Sequence, residues 1–331
     1  MPNKNKSTKE KVMDILSECG EKHISGEEIS EKLGISRASV WKHINNLKKE
    51  GFDIESRSGT GYRLRGKTGD NLTPYEIKKN LDTKFIGQNI EYFETIDSTN
   101  IYASKVAGKS KEGTVIISDE QTAGKGRTGR KWVSKQKEGI YFSLILKPEI
   151  PLIKASFLTQ VAGAALAAAF EKMGVDVTIK WPNDIILNGK KIAGILTEMQ
   201  AEIDRIFYIV VGIGINLYNE NFDEEIIHKA TSVLKEGHRI EREELLKNFF
   251  EEFEKMYVAF LEGENREVLK KLREKSAVIG REIYVVNGDD RRKAEAKDID
   301  DDGNLVVEFE DGKVETIFTG EVSIRGMESY I

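Results

Sequence analysis

The sequence predicts a multidomain α+β protein with a winged helix-turn-helix, a central mixed-sheet α/β domain and a small SH3-like β-barrel, in that order. Three observations support this prediction. Capped helices and a tight turn fill the first 66 residues, strand-like and helix-like runs alternate over residues 85–262, and five short strand-like runs follow residue 276. A chain of 331 residues is long enough for two or three domains. We therefore assign residues 1–66, 67–275 and 276–331 to the three domains.

Composition limits the classes of protein that the chain can form. Hydrophobic residues make up 39% and charged residues 32% of the chain, as in a charge-rich globular protein. The single cysteine, Cys19, excludes an internal disulfide and favours a reducing cytoplasm. The longest apolar run, residues 161–170, is too short to span a bilayer, and the polar N-terminus lacks a signal core. The four histidines have no metal-ligand spacing, which argues against zinc.

The N-terminal domain shows the pattern of a helix-turn-helix followed by a wing. Ser7 and Glu10, and then Ser25 and Glu28, each form a capping box ahead of apolar residues at helical spacing. Gly34 makes a tight turn before a third helix that Ser36 caps. Two short strand-like runs around a glycine-containing turn then predict a β-hairpin wing.

A weakly basic charge favours DNA as the partner of this domain. Residues 1–66 carry 13 Lys and Arg against 10 Asp and Glu, whereas the whole chain has a net charge of −5. Polar side chains at the start of the third helix can read base edges, and wing arginines can contact phosphates. The alternative is a helical unit that binds protein. The candidate DNA-binding residues are Ser36, Arg37, Ser39, Lys42, His43, Asn46, Arg57 and Arg63.

In the central domain, residues 121–132 form the most distinctive stretch, QTAGKGRTGRKW. They hold three glycines and four cations and follow a strand-like run at 114–118. Glycine lets a backbone approach a ligand, and Lys and Arg bind carboxylate or phosphate. The stretch also fits the dinucleotide pattern G-x-G-x-x-G, but no helix start follows, as that pattern requires. A solvated basic hairpin loop is the remaining alternative to an anion-binding loop.

Further polar and glycine motifs follow predicted strands. Ser98, Thr99 and Asn100 stand at a helix start, where they either bind a small polar ligand or form an ordinary cap. Asn183 and Asp184 follow a strand and place an amide beside a carboxylate, as in many metal–nucleotide sites. Lys191 comes after a predicted hairpin turn at Asn188–Gly189. Glycines 212 and 214 lack side chains on one face of a strand, and this predicts a flat platform for a ring.

The C-terminal domain is predicted to be a barrel of five short strands. They cover residues 281–286, 292–299, 304–310, 313–318 and 322–325, and Asp302–Gly303 and Asp311–Gly312 form two of the turns between them.

Five motifs in order resemble those of the biotin–protein ligase family: DSTN at 97–100, QTAGKGRTGRKW at 121–132, KWPND at 180–184, KIAGILTE at 191–198 and VGIGIN at 211–216. The resemblance covers the whole chain, and the winged helix makes it similar to the bifunctional kind that also represses biotin synthesis genes. The resemblance implies a catalytic domain with a fold like that of class II aminoacyl-tRNA synthetases. It also implies a two-step reaction: biotin and MgATP give biotinoyl-5′-AMP, and the biotinoyl group is then transferred to a lysine of the biotin carboxyl carrier protein of acetyl-CoA carboxylase.

The resemblance also implies roles for individual residues. Arg127 and Lys191 are the expected catalytic cations, and Asp184 is a candidate magnesium ligand. The expected biotin-binding residues are Ser98, Thr99, Asn100, Gln121, Lys125, Gly126, Arg127, Lys191, Gly212 and Gly214. The expected ATP- or adenylate-binding residues are Gly124, Arg130, Trp132, Asn183 and Asn216.

Lys125 stands where the family usually has an arginine, so a bidentate contact at that position is in doubt. Two other functions stay open at this point: a biotin-sensing DNA-binding regulator with weak ligase activity, and an enzyme similar to lipoate–protein ligases. We also expect adenylate binding to promote a homodimer through sheet edges of the central domain.

Overall fold

The computed structural model describes residues 7–49, 51–67, 72–79, 81–287, 290–318, 323–326 and 330. The chain separates into two compact units, Met1–Glu76 and Ile77–Ile331.

The first unit is the predicted helix-turn-helix with a hairpin. It contains α1 (Thr8–Glu18), α2 (Gly26–Leu33), α3 (Arg37–Lys49), β1 (Phe52–Arg57) and β2 (Gly61–Lys67), and the two strands pair antiparallel. Both predicted capping boxes are present, at Ser7 and Ser25, and Gly34 ends α2 in the left-handed conformation. The two capping boxes fix where α1 and α2 begin, and Gly34 fixes where α2 ends. Val12, Ile29 and Ile44, one from each helix, share one buried core.

The wing arginines surround one carboxylate, Glu55 of β1. Arg57, Arg63 and Arg65 approach its oxygens to between 2.8 and 2.9 Å. Although burial opposes ionisation, hydrogen bonds from Arg57 and Arg63 and the charge of Arg65 lower the pKa of Glu55 to about 2. Two predicted DNA contacts, Arg57 and Arg63, are therefore ion-paired within the wing and would share their donors between Glu55 and a phosphate.

The second unit is built on a seven-stranded mixed sheet with strand order β3-β4-β5-β9-β8-β7-β6. Only the β3–β4 pair is parallel among these neighbours. The sheet was predicted as mixed because helices and strands do not alternate regularly, and this is confirmed. The strands are β3 (Ile90–Ile96), β4 (Thr114–Gln121), β5 (Gly139–Leu146), β6 (Thr178–Lys180), β7 (Asp184–Leu187), β8 (Lys190–Glu202) and β9 (Arg205–Asn216).

Helices α5 (Thr99–Val106) and α6 (Phe157–Lys172) pack on this sheet, and α7 (Arg242–Leu261) and α8 (Arg266–Glu274) pack on α6. The short helix α4 (Pro74–Lys78) precedes β3 in the chain. The stretch Leu152–Lys172 has the length and composition of a membrane-spanning helix, but 78% of its most apolar window is buried inside the protein. An apolar helix of this kind is a core helix when the sheet and its neighbours surround it. The run at 161–170, which was judged too short to span a bilayer, is only part of this longer helical stretch.

A buried ion pair between Arg242 and Asp119 ties α7 to β4, close to the loop at residues 121–132. Arg242 donates to Asp119 Oδ1 at 2.9 Å and to the carbonyl of Gly139 at 3.3 Å, and Tyr92 donates to the other Asp119 oxygen at 2.7 Å. Asp119 and Arg242 are both almost fully buried. The carboxylate is therefore satisfied on both oxygens, and it holds β4 two residues before Gln121.

The C-terminal strands β10 (Glu282–Asn287), β11 (Asp290–Ile299), β12 (Leu305–Phe309), β13 (Val314–Ile317) and β14 (Ser323–Gly326) form one antiparallel sheet in the order β13-β12-β11-β10-β14. The predicted turns at Gly303 and Gly312 both have positive φ. Gly303 also packs against α6 and Trp181: its carbonyl accepts from Gln160 Nε2 at 2.5 Å and from the Trp181 indole at 3.0 Å. This C-terminal sheet is thus held against the central domain.

Candidate active site

Two connected depressions lie where the ends of β4, β6, β8 and β9 meet. The larger is a cavity of about 560 Å³, and the smaller is a pocket of about 50 Å³. Both are lined by Gly126, Arg127, Trp132, Asn183 and Lys191. The shared residues include the two predicted catalytic cations, which therefore stand at the boundary between the compartments.

The smaller pocket gathers the residues that were predicted to bind biotin. Hydroxyl and amide groups, the cationic loop and the glycines of β9 all contribute to its lining: Ser98, Thr99, Asn100, Gln121, Lys125, Gly126, Arg127, Lys191, Gly212 and Gly214. Residues separated by more than 100 positions in the sequence meet here because β3, β4, β8 and β9 belong to one sheet.

An internal hydrogen-bond network orders the polar side of this pocket. Gln121 Oε1 accepts from the Thr99 backbone at 2.8 Å and from its hydroxyl at 3.1 Å. The Ser143 hydroxyl lies 2.8 Å from Thr99 Oγ1 and 2.6 Å from Asn100 Oδ1, and Asn100 Nδ2 donates to Glu198 at 2.8 Å. Ser98 is the N-cap residue of α5, and its side chain makes no capping hydrogen bond. Donors and acceptors are thus held in fixed positions in a partly buried site.

Ser143 and Glu198 belong to this network, although sequence reasoning did not select them. Ser143 stands in the middle of an apolar strand, and Glu198 ends the KIAGILTE motif. A hydroxyl within a run of fully buried residues was the available signal, because such a group needs a partner.

The strand glycines admit bulky side chains rather than leaving an open platform. A Cβ on Gly212 would lie 1.8 Å from Asn100 Oδ1, and a Cβ on Gly214 would lie 2.4 Å from Trp132 Nε1. Trp132 also borders Gly194, 3.1 Å from the position of a Cβ there. At Gly214, the indole of Trp132 lies against the face of the strand where a platform for a ring was predicted.

The cationic loop folds back on itself as a narrow, closed segment. Gln121 and Ser134 form a backbone bridge, as do Lys125 and Lys131, and Gly126 donates to the Arg130 carbonyl at 2.7 Å. Its tip is a single 3₁₀ turn, Arg127–Gly129. This geometry excludes the dinucleotide-binding alternative, since that fold requires a full helix to begin at the glycines.

Two adjacent residues, at the end of the β6–β7 turn and the start of β7, hold the two predicted catalytic cations. Arg127 Nη1 donates to Asn183 Oδ1 at 2.8 Å, and Lys191 Nζ lies 2.5 Å from Asp184 Oδ1. Burial lowers the pKa of Arg127, and the charge of Asp184 opposes this shift. Arginine nevertheless stays protonated in proteins, so Arg127 remains a cation. Asn183 and Asp184 therefore fix the positions of Arg127 and Lys191.

The larger cavity contains most of the residues that were predicted to bind nucleotide. Arg130, Trp132, Asn183 and Asn216 line it. Gly124 does not belong to the lining of either depression; a Cβ there would lie 2.4 Å from the Trp132 carbonyl, so its contact is with the loop itself.

The C-terminal part of the chain supplies residues to this cavity that sequence reasoning did not select. Arg291, Arg325 and Tyr330 line it together with Lys180 of β6. Tyr330 donates to Asp184 Oδ2 at 2.5 Å. Both oxygens of the candidate magnesium ligand are thus engaged by protein groups, Lys191 and Tyr330. Over the described residues, no three His, Cys, Asp or Glu side chains cluster closely enough to hold a metal ion alone.

The winged helix-turn-helix unit is typical of a DNA-binding protein. In the sheet domain, cations stand at the boundary of two compartments, and this arrangement is typical of a ligase site that joins two anionic substrates. Residues 92–216 match the Biotin/lipoate A/B protein ligase family, residues 8–63 an HTH domain, and residues 278–325 the Biotin protein ligase C terminal domain.

Relatives of known function match almost the whole chain. The Bifunctional ligase/repressor BirA of Bacillus spizizenii is 39% identical over 95% of this chain and 97% of its own length. The protein of the same name from Escherichia coli is 32% identical over 96% of this chain and 97% of its own. The biotin protein ligase of Aquifex aeolicus in complex with biotin and ATP matches with a TM-score of 0.64 and 29% identity, covering 72% of this chain and all of that one.

The chain therefore belongs to the family of bifunctional biotin–protein ligases and repressors. It is an ATP-dependent biotin ligase and a transcriptional repressor, with ATP and biotin as substrates. The predicted fold class is confirmed.

Proposed function

We propose that the smaller pocket binds the ring system of biotin and that the larger cavity binds ATP, with the carboxylate and the α-phosphate meeting at Arg127 and Lys191. One observation carries this proposal. The residues expected to bind biotin all line the smaller pocket, most of those expected to bind nucleotide line the larger cavity, and the two cations border both.

In the first step, a carboxylate oxygen of biotin attacks the α-phosphorus of ATP and pyrophosphate leaves, which gives biotinoyl-5′-AMP. Two anions approach each other in this step, so their repulsion must be offset by positive charge. Lys191 and Arg127 supply that charge at the boundary of the compartments. They need little reorganisation, because Asp184 and Asn183 already hold them.

In the second step, the amine of a carrier lysine attacks the acyl carbon of the mixed anhydride, and AMP leaves. The nucleophile comes from the acceptor protein, so this domain needs no Ser or Cys nucleophile. The loop at 121–132 covers the anhydride and keeps water from it, in line with its closed, self-paired backbone.

A magnesium ion bound with ATP fits this donor set better than a protein-held ion does. Magnesium is usually held by one or two carboxylates and by substrate phosphates. Asp184 would hold it, and the ion would neutralise phosphate charge when bound.

We further propose that the acceptor is the biotin carboxyl carrier protein of acetyl-CoA carboxylase, and that the helix-turn-helix unit binds operator DNA. Relatives named as biotin–[acetyl-CoA-carboxylase] ligases support the first assignment, and the repressor relatives support the second. Residues 1–66, 67–275 and 276–331 are the proposed functional domains. ATP, carrier and DNA occur together in the cytoplasm, which is the proposed location.

Mixing the protein with MgATP, labelled biotin and a carrier domain should transfer the label to one carrier lysine. The same reaction with labelled lipoate should give less than about one-hundredth of that signal, because a polar pocket discriminates strongly against an acid that cannot satisfy its hydrogen bonds. A carrier with that lysine changed to arginine is the control. Absence of transfer, with tight biotin binding retained, would favour a regulator with weak ligase activity.

DNA binding should rise when biotin and ATP are both present. We propose that adenylate orders the loop and promotes a dimer through an edge of the central sheet, because two winged helices then read two half-sites. The edge strands are β3 and β6, and β6 is partly covered by backbone bonds between Ile179 and residues Lys275 and Ala277. This favours β3.

Sedimentation measures the mass of the protein with and without adenylate. Mobility shift measures its affinity for a DNA duplex, which the ligand-loaded protein first selects from a random library. We expect dimer formation and at least about 10-fold tighter binding with adenylate, and about 10-fold weaker binding for Arg37→Ala, with label transfer unchanged. Equal sedimentation mass and equal DNA affinity with and without adenylate would rule out this coupling.

A further inference from the structure

Tyr330 lies inside the cavity proposed for ATP and is bound there through three different groups. Its hydroxyl donates to Asp184 Oδ2 at 2.5 Å, and its carbonyl accepts from Lys180 Nζ. Its ring also lies beneath the same ammonium, with Lys180 Nζ 3.7 Å from the ring centroid. Tyr330 thus places one aromatic ring and two oxygens among cations, as a nucleotide would.

Lys180 is a cation that the two-step reaction has not yet used. It is only 4% exposed, and it ends β6 three residues before Asn183. Burial, together with the charges of Lys191, Arg325 and Arg130, lowers the pKa of Lys180 to about 8, although the charge of Asp184 opposes this shift. An anion arriving among these cations would stabilise the charged ammonium.

We propose that Lys180 binds a phosphate of ATP, and that Tyr330 occupies this position until the nucleotide displaces it. This inference rests on the proposed assignment of the larger cavity to ATP. A charge-assisted bond from an ammonium to a phosphate oxygen is stronger than one to a neutral carbonyl. Exchange of Tyr330 for phosphate therefore strengthens the interaction of Lys180 and releases one oxygen of Asp184.

The proposal predicts opposite effects for the two residues. Tyr330→Ala removes the occupant, so every molecule is then able to bind nucleotide. The dissociation constant of a non-hydrolysable ATP analogue should therefore fall by about 5-fold. Lys180→Met keeps the buried stem and removes the charge, so the same constant should rise by about 10-fold or more. Calorimetry on the full chain measures both, and the KM for ATP should move in the same directions.

The double variant tests whether the two residues act together. Because Lys180 anchors Tyr330, the gain from Tyr330→Ala should shrink to less than about 2-fold in the Lys180→Met background. Phe318→Ala is the matched control, since Phe318 is an aromatic residue of the same C-terminal part that is 50% exposed and does not line the cavity. Biotin affinity and melting temperature report folding in every variant.

Three results would overturn the inference. Weaker nucleotide binding in Tyr330→Ala would make Tyr330 a part of the ATP site. Unchanged nucleotide binding in Tyr330→Ala would exclude its role as an occupant. Unchanged nucleotide binding in Lys180→Met would exclude the phosphate contact. If Lys191→Ala and Arg127→Gly also left nucleotide binding unchanged, the assignment of the cavity itself would be wrong. If those two variants weakened it and Lys180→Met did not, only the present inference would fail.

Discussion

Lys191→Ala should lower the rate of biotinoyl-adenylate formation by about 100- to 1000-fold, the range found when one preorganised group that stabilises transition-state charge is removed. Lys191 borders both compartments, and Asp184 holds its ammonium at 2.5 Å. The same ammonium lies 5.4 Å from the centroid of the Trp132 ring. Its charge is thus fixed where carboxylate and α-phosphate are proposed to meet, and water cannot replace it there at equal strength.

Pyrophosphate release with biotin and MgATP measures this effect without the carrier. Lys190→Ala is a matched control, because Lys190 is the preceding residue of β8 and does not line either compartment. Lys191→Arg keeps the charge but changes its geometry, and it should recover part of the lost rate. A Lys191→Ala protein that retained more than about a tenth of the wild-type rate, with an unchanged melting temperature, would exclude Lys191 from the chemistry.

Local patterns predicted the elements that depend on local physics. The capping boxes at Ser7 and Ser25 fix where α1 and α2 begin, and both are present. The turn at Asn188–Gly189 was predicted from the residue pair, and both residues have positive φ. Each of these features is determined within a few residues of sequence, so spacing alone was sufficient.

What stabilises a strand that contains glycine was less predictable. Gly212 and Gly214 were predicted to stand at alternate positions of a strand, and they lie within β9, which runs to Asn216. Glycine weakens strand propensity locally, but pairing with β5 on one side and β8 on the other stabilises the whole length. Tertiary pairing of this kind cannot be read from one segment.

The partners of the site residues were beyond sequence reasoning for a similar reason. Asn183 and Arg127 are 56 positions apart, and Tyr330 and Asp184 are 146 positions apart. Motifs indicated that Arg127 and Asp184 belong to the site, but only the packed sheet and the C-terminal part decide what each one touches. Asp184 was assigned as a metal ligand from its type, and in the structure it holds Lys191 and Tyr330.

Arg127→Gly should cause the protein to release biotinoyl-adenylate instead of retaining it. Arg127 begins the turn at the tip of the loop and donates to Asn183 at 2.8 Å, which ties the loop to the β6–β7 turn. Glycine removes both this bond and a partly buried cation and makes the loop backbone more flexible. We expect dissociation of the adenylate to be faster by about 100-fold, the effect of losing a charge-assisted bond of about 3 kcal/mol.

Released adenylate acylates exposed amines, so labelling of a bystander protein such as serum albumin measures the leak directly. Lys137→Gly is the matched control: it removes a nearby exposed cation at a residue with φ of 62°, a conformation that glycine adopts readily, and it does not line either compartment. Asn183→Ala keeps the Arg127 cation but removes the acceptor of its bond, together with the bond from Asn183 Nδ2 to the Ile195 carbonyl, and should leak to a smaller extent. If Arg127→Gly retained its adenylate as tightly as the wild type, the loop would not depend on Arg127 for closure, and the cation would act in the chemical step alone.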